Sequence, residues 1–167
     1  MNMKRFFTPR ILNLISIWIL LLALSISFFY EFFFDFKPCL LCILQRTCFF
    51  LVLIFLVLKY VRNTKSILLN LAAIVSTFLG IFFSSRQVML QNKVISDESS
   101  YLCAPNLYGS FNFTSIRDFF TMLYPAEGTC SEITSVLLGV SFATWSLLIF
   151  CLILAIILII FFKERYQ

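Results

Sequence analysis

The sequence predicts an all-α integral membrane protein, a four-transmembrane-helix bundle with one long outer connection, and three observations carry that expectation. Of its 167 residues 61% are hydrophobic and 13% charged, an apolar share well above the roughly 45–50% of soluble domains. The apolar residues gather into four runs, each near the about 20 residues of helix that cross a ~30 Å hydrocarbon core. Basic residues collect at alternate ends of those runs, as the positive-inside rule requires.

The first run, Ile11 to Tyr30, follows Lys4, Arg5 and Arg10. A cleaved signal peptide is the competing reading, because a basic start and an apolar middle fit one. The run is long for a signal core and no A-x-A-like site follows it, so a retained span is expected. The second run, about 43–60, carries Gln45 and Arg46 near its start. Such groups are costly in lipid unless they lie at the interface or face a polar site. The third run covers about 66–85 and the fourth about 142–162. Lys59, Arg62 and Lys65 join the second to the third, and Lys163 and Arg165 follow the fourth. Both termini are therefore expected in the cytoplasm. The outer connections, about 31–42 and 86–141, hold seven of the eight acidic residues and face the oxidising side. Residues 1–167 read as a single membrane domain.

Within the long connection, Phe113, Ile116, Phe120 and Leu123 recur at helical spacing, with Arg117, Asp118 and Thr121 on the other side. The stretch 112–124 reads as a short helix lying in the membrane surface, or one packed on its own loop. Either arrangement pins the loop near the bilayer. The formal charge of +5 is dispersed between apolar runs, so it is a topology signal and gives no reason to expect nucleic acid.

The chain has no His, which removes imidazole as proton shuttle, haem ligand or zinc ligand and leaves cysteine as the source of reactivity. Four of six cysteines, Cys39, Cys42, Cys103 and Cys130, lie outside or at the ends of the runs, whereas Cys48 and Cys151 lie within them. That partition suggests four reactive thiols and two packed ones. Cys39-Leu40-Leu41-Cys42 is a C-x-x-C at the outer end of the second span, a pattern shared by redox dithiols and zinc half-sites. A closed zinc site would have to recruit Cys103 and Cys130, which form no second C-x-x-C, so no metal is expected. At the amino end of a helix the free amides and macrodipole favour a thiolate on Cys42. Arg46, four residues on, shares its face and can donate to a carbonyl oxygen of a bound acceptor; an Arg snorkelling to headgroups is the plainer reading. Cys103 and Cys130 bracket the loop helix. Residue reasoning alone leaves them as either a structural disulfide, stabilising by roughly 3 kcal/mol, or a labile exchange site beside Gly109, Pro125 and Gly128.

These residues together resemble a known family. Pro38-Cys39-Leu40-Leu41-Cys42-Ile43-Leu44-Gln45-Arg46 is similar to the C-x-L-C-x-x-x-R signature of the DsbB-type disulfide bond formation proteins. Arg86-Gln87-Val88-Met89-Leu90-Gln91 resembles the segment leaving that family's third helix. Gly128-Thr129-Cys130-Ser131-Glu132, Leu138-Gly139-Val140 and Trp145-Ser146 resemble the approach to its fourth. The resemblance implies a bacterial inner-membrane enzyme with periplasmic cysteines, part of the relay that keeps that compartment oxidising. It further implies that a Cys103–Cys130 disulfide oxidises a DsbA-like thioredoxin-fold partner, and that Cys39–Cys42 passes the electrons to ubiquinone or menaquinone. Cys42 would face the quinone, Arg46 would stabilise the negative oxygen, and Gln87 is a candidate for the quinone pocket. With ~30 mV worth about 1.4 kcal/mol for two electrons, reoxidising so oxidising a partner demands a strong acceptor. No dinucleotide glycine pattern is present, which also favours a lipid-soluble one. The rival readings are a vitamin K epoxide reductase-like thiol–quinone enzyme, and a non-catalytic scaffold or soft-metal-binding protein.

Overall fold

A computed structural model describes residues 8–34, 39–62, 66–92, 136–137 and 139–166. Four long helices account for nearly all of them: α1 Pro9–Phe34, α2 Leu40–Arg62, α3 Ile67–Gln91 and α4 Phe142–Tyr166. All four are long and apolar enough to cross a membrane. A two-stranded antiparallel ribbon, β1 Val136–Leu137 and β2 Val140–Ser141, leads into α4. Gly139 at φ 82° supplies its left-handed backbone, which a side chain would strain. The loop helix expected over 112–124 lies outside the described residues.

Each helix outlasts its apolar run. α1 continues through Glu31 and α3 through Arg86 and Gln87, residues that hydropathy assigns to the outer connections. A polar residue ends an apolar run but not a helix when the bundle supplies it with a partner, as it does for Glu31 and Gln87.

α3 packs extensively against α2 and α4, while α1 rests more thinly on the same two helices. The inward face of α3 explains its position. Asn70, Ala73, Thr77, Gly80, Ser84 and Gln87 recur every three or four residues, and small side chains let backbones approach closely where no hydrophobic effect drives helices together. Gly80 is required for that approach, because a Cβ there would collide with the ring of Phe150 on α4. Phe150 in turn stacks on Phe49 of α2, with centroids 4.0 Å apart and planes at 10°. Around this pair lie Leu20, Leu24, Val52, Leu56, Ile153 and Ile157. The exterior carries large apolar side chains such as Trp18, Leu22, Phe32 and Leu68. Among the described residues nine buried polar ones, including Asn13, Gln45, Lys59, Asn70 and Gln87, face inward. This distribution suits lipid, where only the interior can satisfy a polar group.

At one end of the bundle, Lys59 Nζ donates to Asn70 Oδ1 at 2.7 Å and to Glu164 Oε2 at 3.0 Å, while Asn70 Nδ2 donates to the same carboxylate at 3.1 Å. Lys59 is only 6% exposed. The cluster ties α2, α3 and α4 together at the end opposite the C-x-x-C.

Candidate functional site

Cys39 lies immediately before α2 and Cys42 one turn inside it. The local chain explains the pairing. Cys39 Sγ accepts the Cys42 backbone N–H at 3.4 Å and Cys39 O accepts the Ile43 N–H at 3.1 Å, so Cys39 caps the helix and turns its sulfur toward the first turn. The two sulfurs stand 2.9 Å apart. Cys39 is buried against Leu41 and Leu90. Its thiol is held well above the ordinary thiol range, by its hydrogen bond with Cys42 and by burial.

The sulfurs differ in what they face. A cavity of about 340 Å³ occupies the outer half of the bundle, and its walls include Cys42 but not Cys39. It follows α1 from Ile19 to Tyr30, about 16 Å of helix. Across it stand Trp145, Ser146 and Ile149 of α4, and Cys42, Gln45, Arg46 and Phe49 of α2 line it as well. At the outer rim Tyr30 meets Phe142 edge to face, centroids 4.8 Å apart. Leu22 and Ile26, which line the cavity, are also exposed on the bundle exterior, so the cavity reaches the lipid-facing surface. Its volume falls in the roughly 300–1,000 Å³ range of small-molecule sites.

Arg46 lines the cavity one turn below Cys42, as the i, i+4 spacing predicts, and it does not snorkel outward. Its Nε donates to Ser27 Oγ at 2.8 Å, Nη2 reaches Ser27 O at 3.4 Å, and Nη1 pairs with Glu31. The guanidinium also lies over the Phe28 ring, 5.2 Å from its centroid. The salt bridge to Glu31 is largely shielded, the two side chains being 12% and 15% exposed. The ion pair is neutral as a whole, but the guanidinium stays charged and turns directional N–H groups to the cavity. An arginine has five, and these contacts use three.

Gln87 reaches the sulfurs from α3. Its Nε2 donates to Cys42 Sγ at 3.1 Å and to Cys39 Sγ at 3.5 Å, and its Oε1 accepts from Gln45 Nε2 at 2.6 Å. Both amides are 4% exposed. Sequence reasoning picked Gln87 for the pocket and noted Gln45 only as costly in lipid; it missed the pair, along with Ser27 and Glu31. The available signal was the i, i+4 spacing of Ser27 and Glu31 at the outer end of α1, opposite Arg46.

The structure thus brings Cys39, Cys42, Arg46 and Gln87 together. Cys103 and Cys130 lie outside the described residues. Cys48 is a packed core thiol as expected. Cys151 departs from expectation, being exposed on the outer face of α4, because an apolar run does not reveal which of its faces turns to lipid.

A family profile described as "Disulfide bond formation protein DsbB" matches residues 9–160, which takes in α1 to α3, most of α4, and the positions of Cys39, Cys42, Cys103 and Cys130. Curated relatives named disulfide bond formation protein B include one from Polaromonas sp. (strain JS666), 28% identical over 95% of this chain and 93% of its own. Others come from Hahella chejuensis, 28% identical over 76% of this chain and 78% of its own, and from Saccharophagus degradans, 27% identical over 71% and 72%.

Proposed function

The chain belongs to the DsbB family, and on that premise we propose that it is a membrane thiol oxidase that reoxidises a DsbA-like protein and passes the electrons to a membrane quinone. The observation that carries the reading is the placement of Cys42 on the cavity wall with Cys39 2.9 Å behind it. The cavity suits a flat apolar ring bearing carbonyl acceptors: its walls include Leu22, Ile26, Phe49, Trp145 and Ile149, and its donors are Gln45 and Arg46, while Gln87 lines it with its N–H groups turned to the sulfurs. Arg46 and Gln45 would hold the carbonyls, and the opening past Leu22 and Ile26 suits an apolar tail. When bound, a quinone supplies a two-electron, two-proton acceptor.

The chain's own steps are thiol–disulfide exchanges. The partner's thiolate attacks Cys103 of an outer Cys103–Cys130 disulfide and releases Cys130. Cys130 then attacks Cys39, the Cys39–Cys42 bond breaks, and its electron pair moves to Cys42 Sγ at the cavity wall. Cys39 is the sulfur to attack because its departure partner, Cys42, is the one facing the acceptor. The partner's second thiolate then attacks its own sulfur in the partner–Cys103 disulfide, so that the partner leaves oxidised and Cys103 is freed. Cys103 attacks Cys130, which restores Cys103–Cys130, releases Cys39 and leaves the inner pair reduced, to be re-formed as its two electrons pass to the acceptor. In this scheme the cysteine end is periplasmic, both termini are cytoplasmic, and the membrane is the bacterial inner membrane, the orientation favoured by the basic residues flanking the spans.

The test combines the purified full chain, a reduced DsbA-like donor and a soluble quinone, with quinone absorbance as the readout. Steady quinone loss with matching donor oxidation is expected, and none would overturn the assignment. Cys103→Ala should block the protein donor while a small dithiol still drives quinone reduction through the inner pair. Normal donor oxidation by that variant would remove the outer pair from the path.

A further inference from the structure

A buried carboxamide has two unlike ends, and only its N–H end can support charge on sulfur. Gln87 spends both N–H groups on Cys42 and Cys39, at 3.1 and 3.5 Å. Neutral sulfur is a weak acceptor, so strong donors given to it make a poor structural staple between α2 and α3. The same donors gain roughly twofold in strength when the sulfur is ionised. Cys42 is the nearer sulfur, and in the fully reduced pair Cys39 at 2.9 Å can add an S–H donor to it.

The Gln87 amide would serve the opposite purpose if rotated, since its Oε1 would then confront the sulfurs. Gln45 opposes that rotation. Its Nε2 donates to Gln87 Oε1 at 2.6 Å, and a turned amide would set N–H against N–H, with two buried groups left unsatisfied. We propose that Gln45 is a positioning residue which, acting through Gln87, directs charge to Cys42 when the inner disulfide opens. In that step the attacking sulfur bonds to Cys39, the Cys39–Cys42 bond breaks, and the electron pair stays on Cys42, held by the Gln87 N–H. The inference deepens the oxidase reading and rests on it only in treating Cys39–Cys42 as redox-active.

The test uses the full chain in detergent, its inner pair reduced by dithiothreitol, with neither donor nor quinone added. Iodoacetamide is applied and site-resolved mass spectrometry follows each sulfur. In the wild type Cys42 should react ahead of Cys39. Gln87→Met should slow Cys42 by about tenfold, the scale of one hydrogen bond to a charged group. Gln45→Met should slow it by several-fold while touching neither sulfur. The double variant should be no slower than Gln87→Met alone, because one residue acts through the other. It also leaves no orphaned amide, so its rate is readable even if a single variant unfolds; a wild-type rate in the double variant would overturn the proposal. So would an unchanged rate in Gln45→Met, or effects of the two substitutions that multiply. Failure of the wild type to reduce quinone would instead sink the oxidase reading and leave this result standing.

Discussion

The bundle buries polar groups at both ends, and the two clusters are built to different purposes. At the inner end Lys59 is closed in by Asn70 and Glu164, and none of the three lines the cavity. Every strong contact there joins one helix to another. At the outer end, Arg46 is tied to Ser27 and Glu31 yet still faces the cavity, as do Cys42, Gln45 and Gln87. A buried polar group with all its partners inside the protein holds helices in register; one left facing a cavity is available to a ligand. The contrast separates architecture from chemistry in a chain where both are made from inward polar residues.

The sharpest way to break that contrast is Cys42→Ala, which should abolish quinone reduction outright while the thermal unfolding of the detergent-solubilised protein hardly moves; retained turnover would refute the electron path. Arg46→Ala should raise the quinone KM by about tenfold, the loss of one charge-assisted hydrogen bond. Its turnover at saturating quinone should change less, which steady-state kinetics will separate. The inner cluster should respond in the reverse sense. Glu164→Ala leaves Lys59 buried without its counter-charge and should cost about 3 kcal/mol of stability, read by thermal unfolding, with the KM for quinone unaltered. Gly80→Ala should cost about 1–3 kcal/mol through overpacking against Phe150, and relief by Phe150→Leu would locate the clash. Smallest of all, Cys151→Ser on the lipid-facing side of α4 should change activity within experimental error.

The amphipathic logic of soluble helices fails here for a physical reason. In water the buried face of a helix is its apolar face, and periodicity finds it. In lipid the exterior is at least as apolar as the interior, so Cys48 and Cys151, each in an unbroken apolar run, look alike although one is in the core and the other on the surface. Run length found the four helices, but it ended α1 before Glu31 and α3 before Gln87, the residues whose partners on α2 extend those helices. The spacing of Cys39, Cys42 and Arg46 was legible because it is local, all within two turns of one helix.

Composition and hydropathy were enough for the number of spans, the basic flanks, the absence of imidazole chemistry and the one-turn relation of Cys42 to Arg46, since each depends on neighbours along the chain. Packing alone decided which sulfur faces the cavity, that Glu31 pairs with Arg46, and that Gln45 and Gln87, 42 positions apart, form one hydrogen-bonded pair. Those relations join different helices, and a chain's local pattern carries no record of which helices will meet.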